Sequence, residues 1–494
     1  MTHNYVPPAP PSTAGVDAEA GAHLQRNLLG VSDVVFFVVA AAAPLTVMAG
    51  VAPLAILLGG IGAPASYLAV GVTLLLFSVG FTAMTPYIRN AGAFYSYIAR
   101  GLGRPAGVGA AYLAAFSYNA MQIGMYGAFG FFSATTLDDM AGIDLPWPVY
   151  SFLGIVIVWF LGFRSINLGA KVLAALLIAE TAILLLLAVA VLIDGGATGL
   201  TFDSFAPAHV FTGDMVAPVL TAAAAFIGYE ATVIYREEAR RPDRTIPKAT
   251  YVAVTFLALF YTFIAWIIIQ AFGSDRVVAA AAENPSELFF VAMDKHVGGW
   301  ASDIQRVLIV TSLLAALLAF HNTITRYCYA LSAERVFPSP LARVHLSHGS
   351  PWIAGVVQSV LAAIVVTVFV LSGVDPYSEF FLWVNTPGIV GIMTLQALAA
   401  VAVVVFFRRN PPQRGESSWR TLVAPAAAAV LLTTGTVMVA KRLDLLTGAS
   451  GGVNLTLVAL TPVVFAIGLV AALRLRARRP DVYQKLGTTE IDAG

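Results

Sequence analysis

Long apolar blocks separated by short polar stretches make up most of this chain. Twelve of them come close to the roughly 20 residues that a bilayer-spanning helix needs. They cover about 33–59, 63–87, 107–134, 147–163, 168–193, 213–235, 247–272, 302–331, 352–372, 378–407, 420–440 and 454–474. The pair Ser32–Asp33 predicts a cap for the first block, and Pro247 predicts the start of the seventh. The segment 283–297, between the seventh and eighth, reads as a short helix outside the bilayer. Ahead of the first block runs "NYVPPAPPSTAGVDAEAG", polar and rich in Pro and Ala, which predicts a disordered tail over 1–30. A second tail is expected over 477–494, leaving 31–476 as the membrane domain.

Composition sharpens the picture. Of 494 residues, 59% are hydrophobic and 11% charged, against about 25% charged in soluble domains. The pattern is that of an all-α polytopic membrane protein. The single cysteine, Cys328, excludes an internal disulfide or a cysteine metal cluster and reads as a packing residue. Twelve spans put both ends on one side. Placing them in the cytoplasm leaves 23 of the 28 Lys and Arg inside and five outside, as basic-residue bias requires. Arg far exceeds Lys, and Ala, Val and Gly abound, which points to a GC-rich bacterial genome and so to a bacterial cytoplasmic membrane.

Two spans carry an internal break. The first, "DVVFFVVAAAAPLTVMAGVAPLAILLGG", has Pro44 near its centre, followed by Gly50 and Pro53. A mid-helix proline removes a hydrogen bond and clashes with the carbonyl one turn back. The sixth has Gly228 at a comparable depth, with Glu230 two residues on. Backbone groups freed inside a membrane must line a cavity or meet protein. Interrupted helices at corresponding places in two halves mark the substrate site of a transporter.

Four stretches carry a resemblance. "FIGYEATVIYREEARRPDRTIPKA" resembles the sixth helix and following loop of the amino acid–polyamine–organocation (APC) superfamily of permeases, and is the most specific. "YIRNAGAFYSYIARGLGRPAGVGAAY" resembles that family's turn after helix 2, "INLGAKVLAALLIAETAILLLL" its entry into helix 5, and "RYCYALSAERVFPSPLARVH" its loop after helix 8. The likeness spans residues about 30 to 475. It implies a leucine-transporter-like fold: two inverted repeats of five helices, here about 33–193 and 213–407, with helices 1 and 6 interrupted. Two peripheral helices follow over about 420–474. It also implies alternating access around a site between helices 1, 3, 6, 8 and 10. A substrate carboxylate would meet free N–H groups at the helix 1 break, and its ammonium would meet freed carbonyls. The chain departs from the family in having "AAAPLT" where many relatives have Gly-Ser-Gly. Pro44 offers no N–H. Ala224 stands at the place of an aromatic gate, so that Phe226 or Tyr229 would have to serve.

The candidate substrate residues are Ala43, Pro44, Leu45 and Thr46 at the first break, and Phe226, Ile227, Gly228, Tyr229 and Glu230 at the second. Asn119 and Gln122 on helix 3 and Asn385 on helix 10 join them as polar groups in apolar runs, equally suited to joining helices. Glu230 has two readings: an acid complementing the positive end of the inner half-helix, or a carboxylate facing the cavity. Glu180, in "LLIAETAILLLL", is the other intramembrane acid, with nothing charged near it in sequence and no helix N-terminus beside it. Intramembrane acids are costly and are functional candidates by default. Several proton-coupled relatives have a lysine near this point, so Glu180 is the candidate proton carrier. Thr311 and Ser312 lie at the depth where sodium-coupled relatives bind the ion. Arg236, Glu237, Glu238, Arg240, Arg241, Asp243 and Arg244 form either a solvated loop or an inner gate of ion pairs.

These features predict a secondary transporter for amino acids, coupled to protons or working by exchange. A polyamine or organic amine is the alternative substrate, and sodium the alternative coupling ion. A membrane enzyme or receptor is disfavoured: there is no P-loop and no "HExxH", and "GASGG" at Gly448–Gly452 sits in an outer loop expected to be flexible. No cofactor, metal or nucleic-acid partner is expected. The predicted partners are a small amino acid or amine and the bilayer, with the chain a monomer or homodimer.

Overall fold

The computed structural model describes residues 28–88, 92–164, 166–211, 216–345, 348–412 and 415–487, with residues 166–173 and 237 described through their backbone only. The tail expected over 1–30 lies almost wholly outside the described residues. The described chain is helical, apart from one isolated parallel bridge between Leu29 and Ala239. Nine helical stretches among these residues are long and apolar enough to cross a membrane. The protein is a multi-pass membrane protein.

α1 runs Val31–Ala42. Its N-cap is Gly30, whose N–H donates to Asp33 Oδ2 at 2.8 Å. Ser32 is therefore inside the helix, and only the Asp of the predicted capping pair acts, reaching back along the chain. α1 ends because Ala43 adopts a left-handed conformation (φ 46°) ahead of Pro44. Proline disfavours the α region for the residue before it. The chain then re-enters helix through a π-helical stretch, Thr46–Val51, and α2, Ala52–Gly59. π-helical segments are rare and mark functional sites.

α3 (Ala63–Met84), α4 (Ala93–Leu102), α5 (Arg104–Ala141), α6 (Trp147–Phe163) and α7 (Ile166–Asp194) follow. α8 runs Val216–Ala225, and its span continues past Gly228 (φ 115°) as a 3-10 helix over Tyr229–Glu237. α9, Pro242–Phe272, begins five residues before the predicted Pro247, which lies inside it. Pro242 occupies the first turn, where a missing N–H costs nothing, and left-handed Arg241 separates the two segments. The expected outer helix is two: α10 (Val277–Glu283) and α11 (Leu288–His296). α12 (Gly299–Ala333), α13 (Trp352–Ser372), α14 (Leu382–Arg409), α15 (Ala424–Lys441), the short α16 (Asp444–Thr447) and α17 (Gly451–Arg478) follow. Gly451 and Gly452 of "GASGG" thus open a helix. The predicted second tail is structured in part: α18, Pro480–Lys485, follows, and Leu486 is buried.

α5 packs against α4, α12, α14 and α17, and α9 against α3. Their faces are small: a Cβ on Gly388 would lie 2.7 Å from the Ser117 carbonyl oxygen, and one on Gly101 2.2 Å from that of Ala402. Small residues let membrane helices approach this closely. Leu153, Val156, Phe160, Ile364, Leu371, Leu455 and Val463, on α6, α13 and α17, are large, apolar and exposed. Such an outer surface suits lipid and would be a liability in water.

Candidate functional site

The two breaks meet. A Cβ built on Gly228 would lie 3.1 Å from the Ala41 Cβ, and 3.6 Å from the Ala42 nitrogen. Each break frees backbone groups inside the membrane, and each finds a buried partner. At the first, the Leu45 N–H donates to Glu180 Oε2 at 3.2 Å, and the Ala42 carbonyl accepts from the Tyr261 hydroxyl at 3.1 Å. At the second, the Gly228 N–H donates to Glu230 Oε2 at 3.1 Å, and Glu230 Oε1 accepts from the Tyr118 hydroxyl at 3.1 Å. Both acids are 1% exposed. A buried carboxylate must be hydrogen-bonded or neutral, and the freed N–H groups supply part of that need.

Glu180 Oε2 also accepts from the Ser312 hydroxyl, to which Thr46 donates at 3.2 Å. Oε1 is buried with no hydrogen-bond partner among the described residues. Glu180 therefore sits at the positive end of the second half of the broken span, although its own helix offers no N-terminus there. A sequence 135 residues away conceals that contact.

Beside the breaks lies a cavity of about 80 Å³, room for several waters. Ala41, Ala42, Ala43, Thr46 and Val47 line it from the first span, and Thr221, Ala224, Ala225 and Ile227 from the sixth. Met121 and Met125 on α5, Phe320 on α12, and Leu382, Asn385 and Ile389 on α14 face them; Val51, Phe381 and Leu446 complete the wall. Among the described residues no charged side chain lines it. Asn385, Thr46 and Thr221 are its polar side chains, and Thr221 already donates to the Pro218 carbonyl at 2.9 Å.

A second buried polar group joins α12 to the loop after the sixth span. The Arg326 guanidinium forks onto Glu238, Nε to Oε2 at 2.7 Å and Nη2 to Oε1 at 3.2 Å, with both side chains at most 5% exposed. The Glu238 carbonyl accepts from the N–H groups of Leu28 and Leu29, at 2.9 and 3.0 Å, and the Arg240 N–H returns to the Leu29 carbonyl at 2.8 Å. The start of α1 is thereby strapped to the loop after the sixth span.

Residues 29–486 match the family model described as "Amino acid permease". The chain belongs to the amino acid permease family. This permease is also 26% identical over 252 residues to uncharacterized transporters of Mycobacterium tuberculosis and Mycobacterium bovis, a match covering 51% of this chain and 52% of theirs. It is 24% identical over 187 residues to a branched-chain amino acid permease of Bacillus subtilis, covering 38% and 37%. The match thus spans about half the length of the mycobacterial proteins and less of the Bacillus one.

Of the residues singled out in the permease sequence, Ala43, Thr46, Ile227 and Asn385 line the cavity. Pro44 and Leu45 are not among its lining residues, and the Leu45 N–H is held by Glu180. Gly228 and Glu230 hold the second break together. Phe226 is fully buried edge-on to Tyr261, and Tyr229 is fully buried too; neither lines the cavity, whose aromatic wall is Phe320 and Phe381. Gln122 donates to the Leu317 carbonyl at 3.0 Å and accepts from Gln358, joining α5, α12 and α13. Asn119 donates to the Ala115 carbonyl one turn back, at 2.7 Å. Thr311 donates to the Leu308 carbonyl of its own helix at 3.0 Å, so of the hydroxyl pair Ser312 alone reaches Glu180. Sequence reasoning passed over Tyr118, Met121, Met125 and Phe320. The first three are spaced for one face of α5, a signal present in the chain but shared with any packed helix.

Proposed function

We propose that this protein is a secondary transporter that carries amino acids with apolar side chains across a bacterial cytoplasmic membrane by alternating access. The observation that carries the reading is the meeting of two broken spans beside a small cavity walled by apolar side chains. Half-helix ends bind the polar groups of a substrate at mid-membrane, and the Met, Phe, Ile and Leu wall suits an apolar side chain. In this reading the spans number twelve. α1–α2, α3, α5, α6 and α7 form the first repeat. The span of α8 and its 3-10 continuation, α9, α12, α13 and α14 form the second, with α15 and α17 peripheral. Both ends face the cytoplasm, and the Arg326–Glu238 pair and the Leu28–Leu29 strap close the inner side.

Coupling follows from competition. Pro44 has no N–H, and the Leu45 N–H is held by Glu180. A substrate carboxylate approaching that helix end meets a buried carboxylate already on the donor. Protonating Glu180 removes the like charge and releases the donor, so a proton and a substrate load together. Ser312 and Thr46 extend the contact to α12 and the first span. Tyr261 packs near the acid but supplies no cation.

A second reading is favoured by the same N–H shortage: an organic amine would pair with Glu180 or Glu230 and needs no free donor. Purified protein in liposomes separates the two. Accumulation of radiolabelled leucine or valine, driven by an inward proton gradient and abolished by an ionophore, supports the first reading. Uptake of amines without carboxylates, and none of amino acids, would replace it with the second. Uptake that follows a sodium gradient and ignores pH would remove the proton from the scheme.

A further inference from the structure

Two features of α9 have no part in the transport site, and they lie on one face. The exposed positions along the first five turns are Asp243, which is paired with Arg236, and then Arg244, Lys248, Val252, Thr255 and Leu259, the last five at spacings of four, four, three and four. That spacing keeps them on a single stripe. The stripe begins basic, just after exposed Arg241, and turns apolar at Val252. Arg244 and Val252 are eight residues apart, about 12 Å along a helix.

Each end of the stripe opens onto a concavity. At the basic end a cleft of about 520 Å³ is lined by Arg236, Arg241, Pro242, Asp243 and Arg244. Asp243 is tied to Arg236 Nη2 at 2.7 Å, while Arg236 Nη1 is buried without a hydrogen-bond partner among the described residues. The positive end of a 31-residue helix points into the same cleft. At the apolar end a groove of about 400 Å³ runs between α1, α7 and α9, among Val35, Phe36, Ile178, Leu185, Val252 and Phe256. Val252 belongs to both the stripe and the groove.

A basic cleft joined to an apolar groove by one helical face matches an amphipathic anion. We propose that α1, α7 and α9 form a binding site for an anionic phospholipid of the adjacent leaflet. Its phosphate sits between Arg241, Arg244 and Lys248, and an acyl chain lies in the groove. Charge complementarity selects the head, since the cytoplasmic leaflet attracts basic side chains at the membrane surface. The groove requires the chain, since a free phosphate would leave it uncovered. The site braces the half of the first span that precedes its break against α7, one turn from Glu180, because Leu177 and Thr181 border the groove.

The test is native mass spectrometry of the full chain in a neutral detergent, offered equal amounts of phosphatidylglycerol and phosphatidylcholine with the same acyl chains. The expected result at low salt is a preference for phosphatidylglycerol of roughly 100-fold, the factor three basic groups give near an anionic head. Arg241→Gln/Arg244→Gln/Lys248→Gln should erase that preference. Val252→Trp, which fills the groove from a lipid-facing position, should lower retention of phosphatidylglycerol while the protein keeps its thermal midpoint. Glycerol phosphate should fail to displace the lipid. Equal retention of the two lipids, a preference that survives the triple variant, unchanged retention in Val252→Trp, or displacement by glycerol phosphate would each overturn the proposal.

Discussion

Replacing Glu180 by glutamine tests the coupling scheme most directly. The wild-type carboxylate accepts the Leu45 N–H and the Ser312 hydroxyl through Oε2. The glutamine carbonyl can accept the same two donors, so the local fold should persist. What changes is charge: hydrogen bonds to charged groups contribute about 1.5–3 kcal/mol, against about 1 kcal/mol for neutral ones. Over the Leu45 bond alone the difference is about 1 kcal/mol. Removing the repulsion between two carboxylates adds a similar amount, for about 2 kcal/mol in all, or roughly 30-fold. Substrate affinity in Glu180→Gln should therefore rise by about that factor at alkaline external pH. It should match the wild-type value measured at acid pH and show no slope between them. With no proton to carry, gradient-driven accumulation should vanish, while exchange of internal for external substrate continues. The assay is leucine binding and uptake in proteoliposomes at external pH 5 to 9, with and without a pH gradient. A variant that still accumulates substrate against its gradient, or whose affinity keeps the wild-type pH slope, would refute the competition at Leu45.

The inner closure should depend on its buried ion pair. Arg326→Met leaves Glu238 uncompensated and should lower stability by about 3–5 kcal/mol, whereas Arg326→Met/Glu238→Gln should recover most of it; a thermal shift series on the purified variants reads this, and equal losses in both would dismiss the pair as the cause. Gly228 combines a φ of 115° with a Cβ position 3.1 Å from the Ala41 Cβ. Gly228→Val should cost about 2 kcal/mol or more and abolish uptake with membrane insertion intact; wild-type uptake kinetics would place the substrate path elsewhere. For topology, exposed Ala208 suits an outer reporter and exposed Ser417 an inner one. In a Cys328→Ser background an impermeant thiol reagent on intact cells should label Ala208→Cys and spare Ser417→Cys, and the reverse pattern would invert the orientation.

Much of the architecture was legible along the chain because a membrane span is a local property. About 20 apolar residues declare themselves without reference to any neighbour. So do the breaks: Pro44 forces Ala43 out of the helix, and Gly228 supplies a positive φ that few other residues tolerate. Helix starts were less legible. Pro247 and Ser32 both carry start signals, yet Pro242 and Gly30 occupy the positions that matter, because the left-handed residue at 241 and the reach of the Asp33 carboxylate outrank them.

By itself the sequence determined the membrane class, the long apolar stretches, the two interruptions, and the presence of two acids within apolar runs. Tertiary structure alone decided what those acids touch. Glu180 meets a backbone N–H 135 residues away and a hydroxyl 132 residues away, and Arg326 meets Glu238 across 88. It also decided that Phe320 and Met121 wall the cavity while Phe226 and Tyr229 do not. The physical reason is range. Hydropathy and backbone preference are set within a turn or a span, whereas the facing of one helix toward another depends on how small-residue surfaces interlock across the whole bundle.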